Sequence, residues 1–216
     1  MKHTLNHEER SRLDQRIADT EKRTGSQVVL AIIERSDSYP EIPWKAFALG
    51  ASGAGLVVWV MNLLWPLTSP GTAVLLAIVM MLAAGAGFAL LCVFLPNFAR
   101  LFLHKHRAEV ETRQYADSLF LSRDMFATRK RQAVLLLVSL FERRIVVLPD
   151  RGFTQQLDQD AIEMIIKHMR VYLKAGQTAR ALEAGLKKLE ESISGNDQTA
   201  SVDDELPNGI IEEKGA

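Results

Sequence analysis

From Ala46 through Ala99 the chain carries not one Asp, Glu, Lys, Arg or His. The sequence is 216 residues long and 24% charged, so a run of 54 positions would hold about 13 charges at the chain-wide frequency. All 52 charged residues sit in the remaining 162, which are therefore about 32% charged. A net charge of zero and a mean hydropathy of +0.02 conceal two unlike materials in one chain. The apolar run is too long for one crossing of a bilayer and is punctuated in its middle. Ala46–Trp65 is followed by Pro66-Leu67-Thr68-Ser69-Pro70, a turn between prolines, and then by Gly71–Leu95. At a rise of about 1.5 Å per residue, each part is long enough to cross a hydrocarbon core of about 30 Å. Trp44 and Trp65 bracket the first part, as interfacial aromatics do. The expected architecture is a two-helix transmembrane hairpin, residues 44–99, with spans 46–65 and 71–95.

Basic residues orient the hairpin. The turn has none, whereas Arg35 and Lys45 precede it and Arg100, Lys105, Arg107 and Arg113 follow it. Positive-inside then places both termini and the water-soluble mass in the cytoplasm, in a membrane of the bacterial inner type. No signal-peptide pattern occupies the first 43 residues. With no ionisable group in either span, a proton relay or ion path is disfavoured. Gly50/Ala54, Ala51/Gly55 and Ala83/Gly87 place small residues four apart, which allows close packing within one hairpin or a homo-oligomer through it. Cys92 stands alone, so no disulfide framework exists.

The flanks read as one interrupted α/β domain, residues 1–43 and 100–194. Asn6 and Glu9 form a capping box for a helix that ends at Thr24-Gly25. Gln27–Ile33 and Ala133–Leu140 are apolar runs of strand length, suited to strands buried on both faces. Arg144–Leu148 returns from the second as a hairpin. A helix lies over Arg100–Ser122, continuous with the second span, with Leu103, Val110, Leu119 and Phe120 as its buried line. Two helices close the domain, with stripes Ile162–Leu173 and Leu182–Ile193. The fold class is a small mixed sheet with helices on both faces, interrupted after its first strand by the hairpin. The first two strands are expected parallel because a crossover joins them. The last 22 residues hold six acids against Lys214 and read as an acidic disordered tail, 195–216.

Several motifs together resemble the TPM-domain family. They are Leu5–Arg23 with Thr24-Gly25-Ser26-Gln27-Val28-Val29, Gln114–Phe120, Ala133–Leu140 with Glu142–Val147, Asp150-Arg151-Gly152 and Leu157–Ile166. The resemblance implies a Rossmann-like α/β/α sandwich, and the inserted hairpin is similar to a membrane-anchored subgroup. It also implies a phosphatase-like activity with a divalent cation such as calcium. Members of that kind carry Asp-Asn-Gly just before the second strand, where this chain has Arg131-Gln132-Ala133. An arginine there repels a cation that needs oxygen ligands.

Asp150, at the end of the third strand, is the leading acidic candidate for catalysis or metal binding. Asp37 after the first strand and Asp124 before the second would complete a carboxylate cluster with it. Asp158 and Asp160 lie near the family's other acidic position. His104 and His106 are two apart and point in different directions on a helix. With Lys45, Arg100, Lys105 and Arg107 they suit lipid headgroups. His3 and His7 have ligand spacing but no acidic support. Arg129-Lys130-Arg131 is a basic run without aromatic platforms, which favours the bilayer over nucleic acid. The expected function is a non-catalytic accessory, assembly or repair factor for a membrane-protein partner, without cofactor. The alternative is a metal-dependent phosphatase-like hydrolase using Asp150, Asp37 and Asp124.

Overall fold

A computed structural model of the chain describes residues 5–65, 69–153, 156–193 and 209–215. The 66–68 turn, His3 and the tail between 195 and 208 lie outside the described residues. The chain divides into two compact units, residues 1–37 with 108–216, and residues 38–107.

In the first unit, α1 (His7–Thr24) begins at the expected capping box. The Asn6 N–H donates to Glu9 Oε2 (2.9 Å), and Asn6 Oδ1 accepts the Glu8 N–H (3.2 Å). It ends where Gly25 adopts φ 69°, the left-handed cap geometry that favours glycine. Then β1 (Gln27–Arg35) enters the sheet. After the second unit come α5 (Lys105–Ser122), β2 (Ala133–Ser139), β3 (Arg144–Pro149), α6 (Gln159–Lys174), α7 (Thr178–Ile193) and β4 (Ile211–Gly215). The sheet order is β3-β2-β1-β4. As expected, β1 and β2 are parallel and in register from Gln27↔Ala133 to Ile33↔Ser139, while β2 and β3 are antiparallel.

The all-apolar strands are explained by two cores, one per face. Val28, Leu30, Ile32, Val134 and Leu136 pack with α1, α6 and α7, and Val29, Ala31, Ile33, Leu135 and Leu137 pack with α5. Alternate side chains of each strand thus enter opposite layers. The sandwich with helices on both faces is the architecture anticipated.

Three expectations require correction. The tail is not disordered at its end, because β4 adds to β1 in parallel, pairing Ala31↔Ile211 through Arg35↔Gly215. Its acidity did not prevent pairing because cations meet it on both faces. The Arg10 Nη2 donates to the Ile210 carbonyl (3.0 Å), while Tyr115 Oη donates to Glu213 Oε2 (2.7 Å) and Arg123 stands 3.2 Å from Glu213. The buried line of α5 is Ala108, Thr112, Ala116, Leu119 and Phe120, and Val110 is exposed. Small residues let that helix lie close to the sheet. Nor does the second apolar helix continue into α5. Leu95 turns extended, and the short helix α4 (Pro96–Ala99) and a 3-10 turn (Arg100–Phe102) intervene, with Pro96 breaking the run.

The second unit contains α2 (Glu41–Leu64) and α3 (Pro70–Phe94), both long and apolar enough to cross a membrane. Among the described residues only 6% of each apolar window is buried. Small residues serve the contact between the two helices. A Cβ on Gly50 would lie 2.8 Å from the Ala84 carbonyl oxygen, and one on Gly85 would meet the Phe47 ring at 2.7 Å.

Candidate functional site

The sheet has two rims with different chemistry. At one rim lie the starts of β1 and β2 and the end of β3, and Asp150 follows immediately. Its N–H donates to the Ala133 carbonyl (2.8 Å) and its Oδ1 accepts the Arg151 N–H (2.7 Å). Asp150 is buried, and its Oδ2 faces Arg131 Nε at 3.2 Å without an aligned hydrogen bond. Arg131 is fixed in turn. It sits at φ 55°, and its Nη1 donates to the Phe126 carbonyl (2.7 Å). The Gly152 N–H donates to the Arg131 carbonyl (2.9 Å), clasping the two loops together.

That clasp explains the glycine after β3. A Cβ on Gly152 would collide with the Arg131 carbonyl oxygen and lie 2.7 Å from that of Lys130. Thr128 Oγ1 and Gln132 Oε1 in the same loop are buried without hydrogen-bond partners, but they are neutral and bring no charge for a cation. A divalent ion of the kind the fold family implies does not fit here. The Asp150 carboxylate already faces a guanidinium, which takes the place of the cation. Among the described residues, no group of three His, Cys, Asp or Glu side chains could hold a metal.

The expected carboxylate cluster does not form. Asp37 follows the end of β1, at the opposite rim from Asp150. The seven-residue β1–β2 register separates the rims by roughly 20 Å at about 3.3 Å per residue. One ion holds its ligands at about 2.0–2.6 Å. Asp124 is exposed, at φ 51° before a 3-10 turn. Asp158 acts locally as the cap of α6, its Oδ1 accepting the Ala161 N–H (2.8 Å). Asp160 and His7 are exposed.

At the second rim lies a polar cluster that sequence reasoning missed. Glu142 Oε1 accepts the Ser36 N–H (2.9 Å) and the Ser36 hydroxyl (2.7 Å), and Oε2 accepts the Ser139 hydroxyl. The Thr112 and Ser36 hydroxyls are 3.3 Å apart, and Thr112 Oγ1 donates to the Ala108 carbonyl (2.6 Å). All four side chains are buried. Open α/β sheets usually offer ligands this rim. Here the carboxylate spends both oxygens tying the end of β1 to the β2–β3 turn. The available signal was positional: Ser36 follows β1, Ser139 ends β2, and Glu142 is the acid in the turn between β2 and β3.

In the second unit, Lys45, Arg100, Lys105 and Arg107 gather near the start of α2 and beyond the end of α3. Lys45 Nζ lies 3.5 Å from the Phe102 carbonyl, Arg100 Nη1 donates to Asn97 (2.6 Å), and Arg107 pairs with Glu41 at 3.0 Å. His104 and His106 are exposed there as well.

Comparison with known proteins agrees with this architecture. A search of curated proteins returned no match. The chain is similar to the solved NMR structure of the BA42 protein from the psychrophilic bacterium Bizionia argentinensis, at 15% identity, with a TM-score of 0.58. That likeness covers 98% of this chain and 97% of the other, and at such identity it concerns the fold alone. The family model described as TPM domain matches residues 72–192, from within α3 to the end of α7. The match spans more than half of the sequence and takes in β2, β3 and the Arg131–Asp150–Gly152 clasp. The chain belongs to the TPM domain family.

Proposed function

We propose that this TPM-domain protein is anchored in a membrane by the α2–α3 hairpin and serves as a non-catalytic accessory, assembly or repair factor for a membrane-protein partner. The observation that carries the reading is the Arg131–Asp150 contact of 3.2 Å, which fills with a guanidinium the position where metal-using members need further carboxylate charge. The second support is the buried state of the Ser36–Ser139–Glu142 cluster, which keeps these two hydroxyls from a substrate. The third is the hairpin, whose spans carry no charge with which to move ions. Headgroup contact is assigned to Lys45, Arg100, Lys105 and Arg107. The phosphatase-like alternative loses its metal site because Asp37 and Asp150 occupy opposite rims.

Two measurements test the reading. The purified full chain in detergent is expected to release no phosphate from p-nitrophenyl phosphate with calcium or magnesium present. Metal-dependent release that Asp150→Asn abolishes would overturn the non-catalytic assignment. A photo-crosslinker at exposed positions of the α/β unit in native membranes should give one recurrent membrane-protein adduct, and diffuse labelling with no recurrent species would count against a dedicated partner. Orientation has its own check, since a reporter fused after Ala216 should be active only on the cytoplasmic side.

A further inference from the structure

The side of β1 away from β2 receives one strand and reads its side chains. The Gln27 N–H donates to the Gln132 carbonyl on the β2 side (2.9 Å), so by alternation the N–H groups of Val28 and Ile32 face the other way. Val28 donates to Glu21 Oε1 (2.8 Å), and this buried carboxylate closes the near end of the edge. Pairing with β4 then runs from Ala31 to Arg35. Gly215, at φ 79°, closes against the Arg35 carbonyl and marks the far end. The slot between these limits holds the five residues of β4.

Successive residues of the docked segment enter opposite faces, and each meets its own surface. Ile210 is buried in the core shared with α1, and Ile211 packs against the core under α5. Glu212 returns to the α1 face, 3.9 Å from Arg10 Nη1, while Arg10 Nη2 donates to the Ile210 carbonyl (3.0 Å). Glu213 returns to the α5 face, where Tyr115 Oη donates to its Oε2 (2.7 Å) and Arg123 Nη2 lies 3.2 Å from its Oε1. Lys214 is exposed. The slot therefore selects two apolar residues, then two acids, then any residue and a glycine. Covering a strand edge takes backbone pairing alone. A tyrosine and two arginines drawn from opposite faces add selection by sequence.

The segment brings one isoleucine to each core, and its ion pairs are open to solvent, with Arg123 and Glu213 45% and 38% exposed. Pairs so exposed hold little. Sixteen residues, 194–209, stand between α7 and Ile210, enough chain for the strand to leave while every helix stays in place. We propose that this edge is a docking site for an extended segment of a partner protein that carries two apolar residues followed by two acids, and that β4 occupies it in cis until such a segment displaces it. The incoming strand adds to β1 in parallel and remakes the same contacts, so the tether decides the exchange. A tethered strand competes at an effective concentration on the order of 1 mM, which a partner exceeds through contacts beyond the slot. The inference rests on the accessory-factor reading only for where such a partner is found. Peptide docking can fail while a membrane-protein crosslink recurs, and the crosslink can fail while a peptide docks.

Hydrogen exchange of the full chain in detergent reads the release of β4 directly. The amides of β4 and of Ile32 should exchange together, roughly tenfold or more faster than that of Ile33, whose N–H faces β2. Ile33 lies nearer the strand end, so fraying gives the opposite order. Ile32 as protected as Ile33 would mean that β4 does not leave, and overturns the proposal. Peptide binding tests the selection. By fluorescence anisotropy, a labelled peptide of residues 208–216 should bind the full-length variant Ile211→Asp with Glu213→Lys, whose own strand is disabled. That binding should be roughly tenfold or more tighter than to the parent, where the tethered strand competes. A peptide with lysine at both glutamate positions should bind neither protein. No binding by the folded variant, equal affinity for the two peptides, or equal affinity of variant and parent overturns the proposal. So does a parent dimer that Glu213→Lys dissociates, because the edge then belongs to a second copy. Circular dichroism and a cooperative melt establish that the variant is folded. If it is not, the exchange measurement on the parent decides alone.

Discussion

Gly152 shows how much one residue can be required to leave out. The loop before β2 and the loop after β3 approach until the Gly152 N–H reaches the Arg131 carbonyl at 2.9 Å, and a Cβ has no room beside the Lys130 and Arg131 carbonyls. Those are backbone atoms, which cannot swing aside as a side chain would. Gly152→Ala should therefore destabilise the α/β unit by about 1–3 kcal/mol, the range for forced overpacking. The check is the midpoint of denaturant unfolding followed by circular dichroism, and an unchanged midpoint would show that the clasp opens freely. At this scale the sequence was partly legible. Asp150 and the glycine after β3 stood out as a turn motif, and the arginine before β2 warned of a missing metal. The Glu142 cluster was not legible, because Ser36, Ser139 and Thr112 become neighbours only when β1, β2 and α5 are assembled. Asp37 misled although the expected strand directions, β1 parallel to β2 and β3 antiparallel to it, already set the end of β1 and the end of β3 on opposite rims.

Among the elements, β4 carries the largest lesson. Its five residues include two glutamates and a lysine, and no hydrophobic run marks it. What makes it a strand is tertiary: β1 offers an unpaired edge, and Arg10, Tyr115 and Arg123 meet its ends and acids. Gly215, at φ 79°, closes against the Arg35 carbonyl, where no side chain fits. Propensity over five residues cannot outweigh such surroundings. The phenol of Tyr115 reports on this docking. Partial burial, and then the hydrogen bond to the Glu213 carboxylate and its charge, push its pKa up from 10.0 to about 12. A raised pKa on a group that is neutral at low pH means the folded state favours the protonated phenol. Its contribution to stability is thus complete below pH 10 and is lost as pH rises from about 10 toward 12. Tyr115→Phe should lower stability by about 1–2 kcal/mol at neutral pH, below the full range for a hydrogen bond to a charged group because the pair is only part-buried and screened by solvent. It should also remove that part of the alkaline decline. Spectrophotometric titration of the phenols in parent and variant, beside unfolding curves at pH 9 and 11, would reveal it. Loss of the variant's stability along the same alkaline curve as the parent would show that Tyr115 does not hold β4.

The whole molecule is a sheet domain whose first crossover has been lengthened by an apolar unit. The uncharged run made that insertion readable from composition alone, and the parallel β1–β2 pairing followed from it. Neither hydrophobic core of the α/β unit contains a residue from 38–107. The domain therefore has no energetic need of the hairpin, which should be removable. The two cut points are also near each other, since the Ser36 and Thr112 hydroxyls lie 3.3 Å apart and Ala108 is one turn before Thr112. A flexible linker of about six Gly and Ser residues spans such a gap with ease. Replacing residues 38–107 by that linker should yield a protein soluble without detergent and folded cooperatively in a single transition. Its circular dichroism should keep the strand content and lose helix in proportion to α2 and α3. Loop-closure cost should favour the shortened chain slightly, since a shorter connection costs less entropy to close. The outcome against this account is a shortened protein that aggregates or unfolds without cooperativity. That would mean the hairpin supports the sheet domain, and that composition had drawn the boundary in the wrong place.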